Sequence, residues 1–217
     1  MRVIAGAAKG RALASVPGDS TRPITDRVKA ALFSILHSLG MIEDRRYLDL
    51  FGGTGAVGIE ALSRGAAEAV FCERDRLALK TLRRNLEATE LAEQAIVVPG
   101  DAFAYLQRPA LAPFDVIYIA PPQYQGLWLR ALQIVDARPE LLTAEGIVIV
   151  QVFPKEWSAP ALSHLVLFDQ RRYGSTELFF LGLSARERSA SRSLRDRQDA
   201  DSSDLTNFED TSDGSPA

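Results

Sequence analysis

The apolar residues of this chain fall into short runs that are separated by amphipathic segments. Runs of this length, bounded by polar residues and glycine, are typical of buried strands. They lie at residues 47–51, 69–72, 96–98, 114–119 and 146–153. The helical segments between them lie at residues 56–64, 75–89 and 127–135, with a short helix after residue 101. Regular alternation of strand and helix predicts a mostly parallel sheet with helices on both faces.

The two ends of the chain depart from this alternation. Residues 1–20 predict a short β-hairpin, and Thr25 or Asp26 can cap a helix that runs to about Leu39. Two β-rich runs, at 165–168 and 177–181, follow each other directly and indicate an antiparallel sheet edge. From Ser184 onward Ser, Asp and Arg dominate, which predicts a disordered tail with no catalytic role.

This pattern divides the chain of 217 residues into three parts. Residues 1–40 form a hairpin and helix that pack on the main domain, residues 41–183 form the α/β domain, and residues 184–217 form the tail. A chain of this length can bury one sizeable core.

Charge is distributed unevenly although the net charge is only −3. Without the acidic tail, basic and acidic residues are equal in number. The first 29 residues carry Arg2, Lys9, Arg11, Arg22, Arg27 and Lys29 against Asp19 and Asp26. Such a basic arm can bind the phosphates of a nucleic acid, although a solvated surface hairpin would carry the same charges.

Cysteine and histidine are too sparse to suggest a disulfide or a metal site. Cys72 is the single cysteine, and His37 and His164 have no ligand spacing around them. The N-terminal residues do not resemble a signal peptide, and no apolar run is long enough to span a membrane. We therefore expect a cytoplasmic protein without a metal or a membrane partner.

A glycine-rich segment follows the first predicted strand, at residues 49–58 with the sequence DLFGGTGAVG. Glycine is needed where the backbone takes a positive φ or comes close to a ligand. Ligands of open α/β sheets bind at the carboxyl ends of the strands, which is where this loop lies. The loop therefore predicts a nucleotide-like ligand.

Acidic residues follow three successive strands, at Asp49, Glu73 and Asp101. A carboxylate at Asp49 suits the ammonium group of an amino acid and would repel a pyrophosphate. Glu73 can accept both ribose hydroxyls, and Asp101 with Ala102 is placed to meet an adenine amino group. Glu73 and Asp101 could instead be ordinary helix caps. Taken as an ordered set, the acids favour S-adenosylmethionine over a dinucleotide such as NAD.

The opening of the chain resembles the bacterial 16S rRNA guanine-N2 methyltransferases of the RsmD type. The similarity lies in RVIAG and KGR at the N-terminus, TRPITDRVK at residues 21–29, ALF at 31–33 and YGSTEL at 173–178. It covers roughly residues 1–182. It implies a Rossmann-like seven-stranded methyltransferase sheet with a short N-terminal extension, and an enzyme that is specific for guanine in ribosomal RNA.

The resemblance also assigns roles to particular residues. It implies that Asp49, Phe51, Gly52, Gly53, Gly55, Glu73, Asp101 and Ala102 face S-adenosylmethionine. It implies that the basic extension, with Arg2, Lys9, Arg11, Arg22 and Arg27, contacts RNA. The partner is then ribosomal RNA, the small ribosomal subunit or an assembly intermediate, and we expect a monomer.

The segment after the fourth strand, Ala120-Pro121-Pro122-Gln123-Tyr124, resembles the motif of amino-methyltransferases, in which Asp or Asn precedes two prolines and an aromatic residue. A carbonyl and a side-chain oxygen can orient an exocyclic amine, and an aromatic ring can stack on the extruded base. Here Ala120 replaces the acid, and the aromatic residue stands one place late.

We expect the carbonyl of Pro121 to accept from the amine, Pro122 to fix the turn and Tyr124 to stack on the base. Candidates for the second acceptor are Asp115, Gln123 and Glu177.

Other functions remain open from the sequence. An adenine-N6 or DNA methyltransferase would share the same motifs, and the loss of the acid at Ala120 would suit an RNA-binding protein without activity. A NAD-dependent oxidoreductase could use the same glycines.

Overall fold

The computed structural model describes residues 1–16 and 24–191, which form one seven-stranded sheet with helices on both faces. The helices are α1 (Asp26–Ser38), α2 (Ala56–Ser63), α3 (Arg76–Thr89), α4 (Ala102–Leu106) and α5 (Leu127–Asp136). The strands are β1 (Arg46–Asp49), β2 (Glu68–Glu73), β3 (Ala95–Pro99), β4 (Phe114–Ile119), β5 (Leu142–Val152), β6 (Leu165–Tyr173) and β7 (Thr176–Leu183). The α/β fold predicted from the sequence pattern is confirmed.

The strands lie in the order β3-β2-β1-β4-β5-β7-β6. The first five pair in parallel, whereas β7 pairs antiparallel with both β5 and β6. The order reverses between β1 and β4, so the loops after these strands diverge and leave a crevice between them. The sheet therefore has its natural ligand site above β1 and β4, and its antiparallel edge is the one that the sequence predicted.

Each face of the sheet carries its own apolar core. On one face, α1, α2 and α3 pack on the sheet through residues such as Leu32, Ile59 and Leu82. On the other face, α4 and α5 do so through residues such as Leu106 and Leu132. Side chains of a strand point alternately to the two faces, which explains the almost wholly apolar sequence of β4.

The N-terminal segment forms a hairpin without regular strands. Arg2 and Ala12 pair in an isolated antiparallel bridge, and the N–H of Val3 donates to the carbonyl of Arg11 at 3.0 Å. Thr25 caps α1, since its side chain accepts from the N–H of Val28. The predicted helix start at Thr25 or Asp26 agrees with this cap.

A buried cluster of charges fixes the hairpin to the domain. The Glu60 carboxylate accepts from the N–H groups of Ile4 and Ala5 at 2.8 and 3.0 Å. It also pairs with Lys29 at 3.1 Å and Arg64 at 2.7 Å. Glu60 and Lys29 are fully buried, and the Lys29 ammonium donates to the carbonyl oxygen of Arg2 in the hairpin at 2.7 Å. Lys29 therefore belongs to the interior and not to the basic surface where the sequence analysis counted it.

The C-terminal segment is partly helical where the sequence predicted disorder. Residues 185–191 are helical, and the Ser184 N–H donates to the His164 carbonyl at 2.8 Å. The Ser184 hydroxyl accepts from the backbone N–H of Glu187 at 3.4 Å, a capping contact that the sequence pattern did not indicate. The expectation of disorder from Ser184 is wrong for these residues, and its remainder, 192–217, lies outside the described residues.

Helices in residues 1–16 and 24–191 are all too short or too polar to cross a lipid bilayer.

We expect Glu60→Gln to destabilise the fold by about 3 kcal/mol, because it leaves the buried Lys29 ammonium without a counter-charge. Chemical denaturation would measure the change in the free energy of unfolding. Glu140→Gln, which removes the carboxylate of an exposed pair with Arg138, is the matched control and should cost less than about 0.5 kcal/mol. Equal losses in the two variants would contradict the role given to the buried cluster.

Candidate cofactor and substrate site

A cavity of about 570 Å³ opens at the carboxyl ends of the parallel strands. Its wall is formed by Thr25, Val28, Leu50, Phe51, Gly53, Cys72, Glu73, Arg74, Asp75, Ala78, Gly100, Asp101, Ala102, Phe103, Pro121, Pro122, Gln123, Gln125, Leu127, Gln151, Val152, Tyr173, Ser175 and Thr176. The volume lies within the range of small-molecule sites. The cavity thus brings together the loops after β1, β2, β3 and β4, as the alternation of strands and helices predicted.

The glycine loop turns tightly between β1 and α2. The Gly52 N–H donates to the carbonyl of Cys72 at 2.8 Å, and the Gly55 N–H donates back to Gly52 at 2.7 Å. Gly55 has φ +80°, and a Cβ atom there would lie 2.4 Å from Cδ1 of Leu82. Gly52 and Gly55 therefore shape the loop from below, while Phe51 and Gly53 face the cavity. Of these predicted cofactor residues, two line the wall and two support it.

Glu73 ties the glycine loop to the end of β2. One carboxylate oxygen accepts from the N–H of Gly53 at 2.8 Å, and the other accepts from the N–H groups of Arg74 and Asp75, each at 2.8 Å. A carboxylate has about four acceptor positions, so Glu73 keeps capacity for a ligand hydroxyl. The carboxylate is half-buried in the cavity wall, where the sequence predicted it.

Asp101 caps a helix and also lines the cavity. Its side chain caps α4 by accepting from the N–H of Ala104 at 2.9 Å. The same carboxylate lies in the cavity wall beside Gly100 and Ala102. The cap of α3, in contrast, is Asp75 and not Glu73.

Asp49 does not line the cavity, unlike the other two acids. Its side chain is buried beneath the glycine loop, and one carboxylate oxygen accepts from the N–H of Gly58 at 3.4 Å. Burial, together with the nearby negative charge of Glu73, raises the pKa of Asp49 to about 7, although the hydrogen bond from the Gly58 N–H opposes this shift. The structure thus places the first predicted acid under the loop, where it can support α2 rather than touch a ligand directly.

Two of the predicted catalytic residues line the cavity, and the third does not. Pro121 and Pro122 form part of its wall together with Gln123 and Gln125. Tyr124 instead points outward, 68% exposed, and its ring lies 5.9 Å from the ring of Phe153. Its backbone has φ +60° and its N–H donates to Glu156 at 2.8 Å. Tyr124 therefore stands at the rim of the site.

Gln123 is the remaining candidate of the three proposed for the second amine acceptor. Asp115 lies at the opposite end of β4, where it accepts from Arg45, the N–H of Arg46 and Thr143. Glu177 accepts from Gln170 at 2.7 Å and does not line the cavity. Only Gln123 of this group lies in the wall.

Gln151 also lines the cavity, which the sequence pattern did not predict. Its side-chain oxygen accepts from the Tyr118 hydroxyl at 2.5 Å. Burial raises the pKa of Tyr118 well above its usual value, so the hydroxyl stays protonated. A polar residue within an apolar strand was the only available signal.

The two signature segments near the chain ends meet at the same cavity. Thr25 and Val28 come from the start of α1, and Tyr173, Ser175 and Thr176 come from the turn between β6 and β7. Periodicity alone could not place these segments together. Their shared position gives a structural reason for their presence in one sequence signature.

Cys72 lines the cavity wall, but its thiol stays protonated. It is buried, and burial raises the pKa of its thiol to about 12. Among the described residues, histidine, cysteine and carboxylate side chains form no group of three that could hold a metal ion.

The described members of the predicted RNA-binding set lie on or beside the N-terminal hairpin. Arg2 pairs loosely with Asp26 at 3.7 Å, and Arg11 pairs with Glu90 at 3.0 Å while it also donates to the carbonyl of Ala88. Lys9 and Arg27 are exposed. Arg22 lies outside the described residues. The structure thus leaves a basic exposed arm, although two of its charges are engaged by neighbouring acids.

Asp49→Asn should make the fold less sensitive to pH. A carboxyl whose pKa is raised on folding retains its proton in the native state, so stability is lost as pH rises from about 4 through about 7. Each unit of raised pKa corresponds to about 1.4 kcal/mol. Denaturation at a series of pH values should show the stability of the variant rising relative to the natural protein across this window. Parallel curves for the two proteins would show that Asp49 is not held in this environment.

Comparison with known proteins agrees with this geometry. Residues 1–182 match the family model described as conserved hypothetical protein 95. The Bacillus subtilis protein named "Putative rRNA methyltransferase YlbH" is 37% identical over 179 residues, which cover 81% of this chain and 95% of that protein. The Escherichia coli protein named "Ribosomal RNA small subunit methyltransferase D" is 38% identical over 136 residues, or 63% of this chain and 67% of that protein.

Solved structures show the same similarity. The Escherichia coli structure titled "Putative methyltransferase yhhF" superimposes with a TM-score of 0.74 and 31% identity, and the match covers 85% of this chain and 98% of that one. The family match over residues 1–182 includes the hairpin, the glycine loop and the proline motif. The chain therefore belongs to the conserved hypothetical protein 95 family, the RsmD-like methyltransferases that its sequence motifs resemble.

Proposed function

We propose that this protein transfers a methyl group from S-adenosylmethionine to the exocyclic N2 of a guanine in 16S ribosomal RNA. The observation that carries the proposal is the cavity in which Glu73, Asp101 and the proline motif converge. The names of the relatives support ribosomal RNA of the small subunit as the substrate class. The choice of guanine N2 rests on the resemblance of the sequence motifs.

The residues of the cavity fit S-adenosylmethionine. Glu73 keeps acceptor capacity for a ribose hydroxyl, and Asp101 can accept from the adenine amino group. Phe51, Ala102 and Phe103 offer apolar surface for a flat ring. Acids dominate the charged groups of this wall, which favours a cationic ligand over a pyrophosphate. S-adenosylmethionine, when bound, supplies a methyl group on a positively charged sulfur.

Asp49 supports this site from beneath the loop. It accepts from the N–H of Gly58 in the first turn of α2, so it helps to fix the glycine turn against that helix. A cation in the cavity above would favour the ionised form of its carboxyl group. Its contribution to cofactor binding is therefore indirect, in place of the ammonium contact that the sequence suggested.

The proline motif holds the target amine. The lone pair of an exocyclic amine is delocalised into the ring, so two hydrogen-bond acceptors are needed to orient it. We assign these to the carbonyl of Pro121 and the side-chain oxygen of Gln123, with Pro122 fixing the turn between them. These two acceptors would hold the amine nitrogen towards the methyl group that a bound cofactor supplies, and the proton that the nitrogen loses on methylation would pass to solvent at the open mouth of the cavity, so the reaction depends on positioning more than on a strong base.

Tyr124 is placed to receive the base at the rim. The exposed ring can stack on a nucleotide that leaves its helix to enter the cavity. Ala120 carries no acceptor, and we assign the role of the missing acid to the Gln123 side-chain oxygen in the cavity wall. This assignment favours an active enzyme over an RNA-binding protein without activity.

The proposal is tested by incubating the protein with labelled S-adenosylmethionine and small-subunit particles from a strain that lacks this methylation. We expect label in 16S RNA, and nucleoside mass spectrometry should identify N2-methylguanosine. Free 16S RNA and assembled particles, assayed in parallel, identify the preferred substrate. Label on adenine would redirect the proposal to N6, and cofactor binding without transfer to either substrate would contradict it.

Glu73→Ala should weaken cofactor binding in particular. Hydrogen bonds to a charged group contribute roughly 1.5–3 kcal/mol each, so loss of the ribose contact predicts at least a tenfold increase in Kd for S-adenosylhomocysteine. Titration calorimetry measures this Kd directly. Glu93→Ala removes an exposed carboxylate outside the cavity and serves as the control, with an unchanged Kd expected. An unchanged Kd in Glu73→Ala as well would remove Glu73 from the site.

A further inference from the structure

The solvent face of α3 carries a row of positive charges that the proposed reaction does not use. This row, the α3 stripe, consists of Arg76, Lys80, Arg83 and Arg84. Their spacing of three and four residues places them on one helix face, and all four line the same shallow groove. Glu87 is the one acid that lines this groove.

These charges do not serve the stability of the helix. Within the described part of the chain, none of the four forms an ion pair, whereas Arg11, Arg46, Arg64 and Arg138 all do. Like charges at a spacing of four residues, as between Lys80 and Arg84, destabilise a helix. Arg76 also stands in the first turn, where the helix dipole disfavours a cation. Exposed positive charges without ion pairs on one helix face point to an anionic partner.

The stripe connects the cavity to the N-terminal hairpin. At one end, α3 begins after the segment 73–75, which belongs to the cavity wall. At the other end, Asn85 exchanges hydrogen bonds with Ala14, and Arg11 donates to the carbonyl of Ala88. A helix of 14 residues is about 21 Å long. The α3 stripe therefore runs from the mouth of the cavity towards the N-terminal hairpin, where the exposed acids Glu87 and Glu90 separate it from the basic arm.

We propose that the α3 stripe binds the phosphate backbone of the substrate RNA beside the nucleotide that enters the cavity. This inference rests on the proposed function, because that function brings an RNA strand to the cavity mouth. Arg and Lys side chains bind phosphate through charge and without regard to base sequence. The stripe thus orients the RNA, while the cavity selects the base.

The test compares two double variants with matched loss of charge. Lys80→Gln/Arg84→Gln removes charge from the α3 stripe. Arg186→Gln/Arg188→Gln removes the same charge from exposed positions that follow β7, at the end of the sheet opposite the cavity. Gln has a helix propensity close to that of Lys and Arg, so both variants should fold, which thermal unfolding verifies.

RNA affinity is measured over a range of salt concentrations with a 16S RNA fragment. We expect the stripe variant to bind at least tenfold more weakly at low salt, with the slope of log affinity against log salt reduced by roughly 0.7–0.9 for each lost contact. The control should match the natural protein. Lys80→Arg/Arg84→Lys, which preserves charge, should retain affinity, and Glu87→Gln should increase it.

The outcomes separate this inference from the proposed function. Equal RNA affinity and salt slope in the stripe variant and the control would overturn the inference, whatever the methylation assay shows. If the natural protein binds RNA with a stripe-dependent slope but transfers no methyl group, the proposed function fails and the stripe stands. If the stripe variant bound an acidic ribosomal protein more weakly but kept its RNA affinity, the stripe would be a protein-binding surface and the inference would be overturned.

Discussion

The site depends on the hydrogen bond between the Glu73 carboxylate and the N–H of Gly53. This contact joins the loop after β1 to the end of β2, so that two segments brought together by parallel pairing become one rigid wall. The same carboxylate also accepts from the first two N–H groups that follow it, which fixes the path of the chain into α3. The remaining acceptor position of Glu73 is then available to a ligand in the cavity.

A second buried carboxylate, Glu60, gives the N-terminal segment a defined position. Because it accepts from two N–H groups of the hairpin and pairs with Lys29, the hairpin and α1 are held on the same side of the domain. The first turns of α1 thereby reach the cavity through Thr25 and Val28. The extension is therefore part of the architecture of the site as well as a basic surface.

Much of the fold could be predicted because the sheet strands are apolar and the helices have clear caps. The β4 bounds agree with the structure, and Thr25 and Asp101 cap the helices that their positions suggested, whereas α3 is capped by Asp75 and not by Glu73. Position in the chain also indicated that Glu73 and Asp101 lie at one cavity, since carboxyl ends of parallel strands share one edge.

What the sequence could not show is which way a side chain faces. Asp49 ends its strand as Glu73 does, yet it lies beneath the loop. By sequence Lys29 belongs to the basic arm, but in the structure it is buried against Glu60, which lies 31 residues later in the chain. Gln151 and the segment around Ser175 reach the cavity only through pairing of distant strands, which local patterns do not encode.

We propose that the cavity receives an adenosine-containing sulfonium cofactor with its ribose on Glu73. A crystal structure of the protein with S-adenosylhomocysteine would show where this ligand binds. We expect a ribose hydroxyl within hydrogen-bonding distance of the Glu73 carboxylate, and the adenine beside Asp101 and Ala102. A ligand bound elsewhere on the protein, or in the cavity with its ribose away from Glu73, would contradict it.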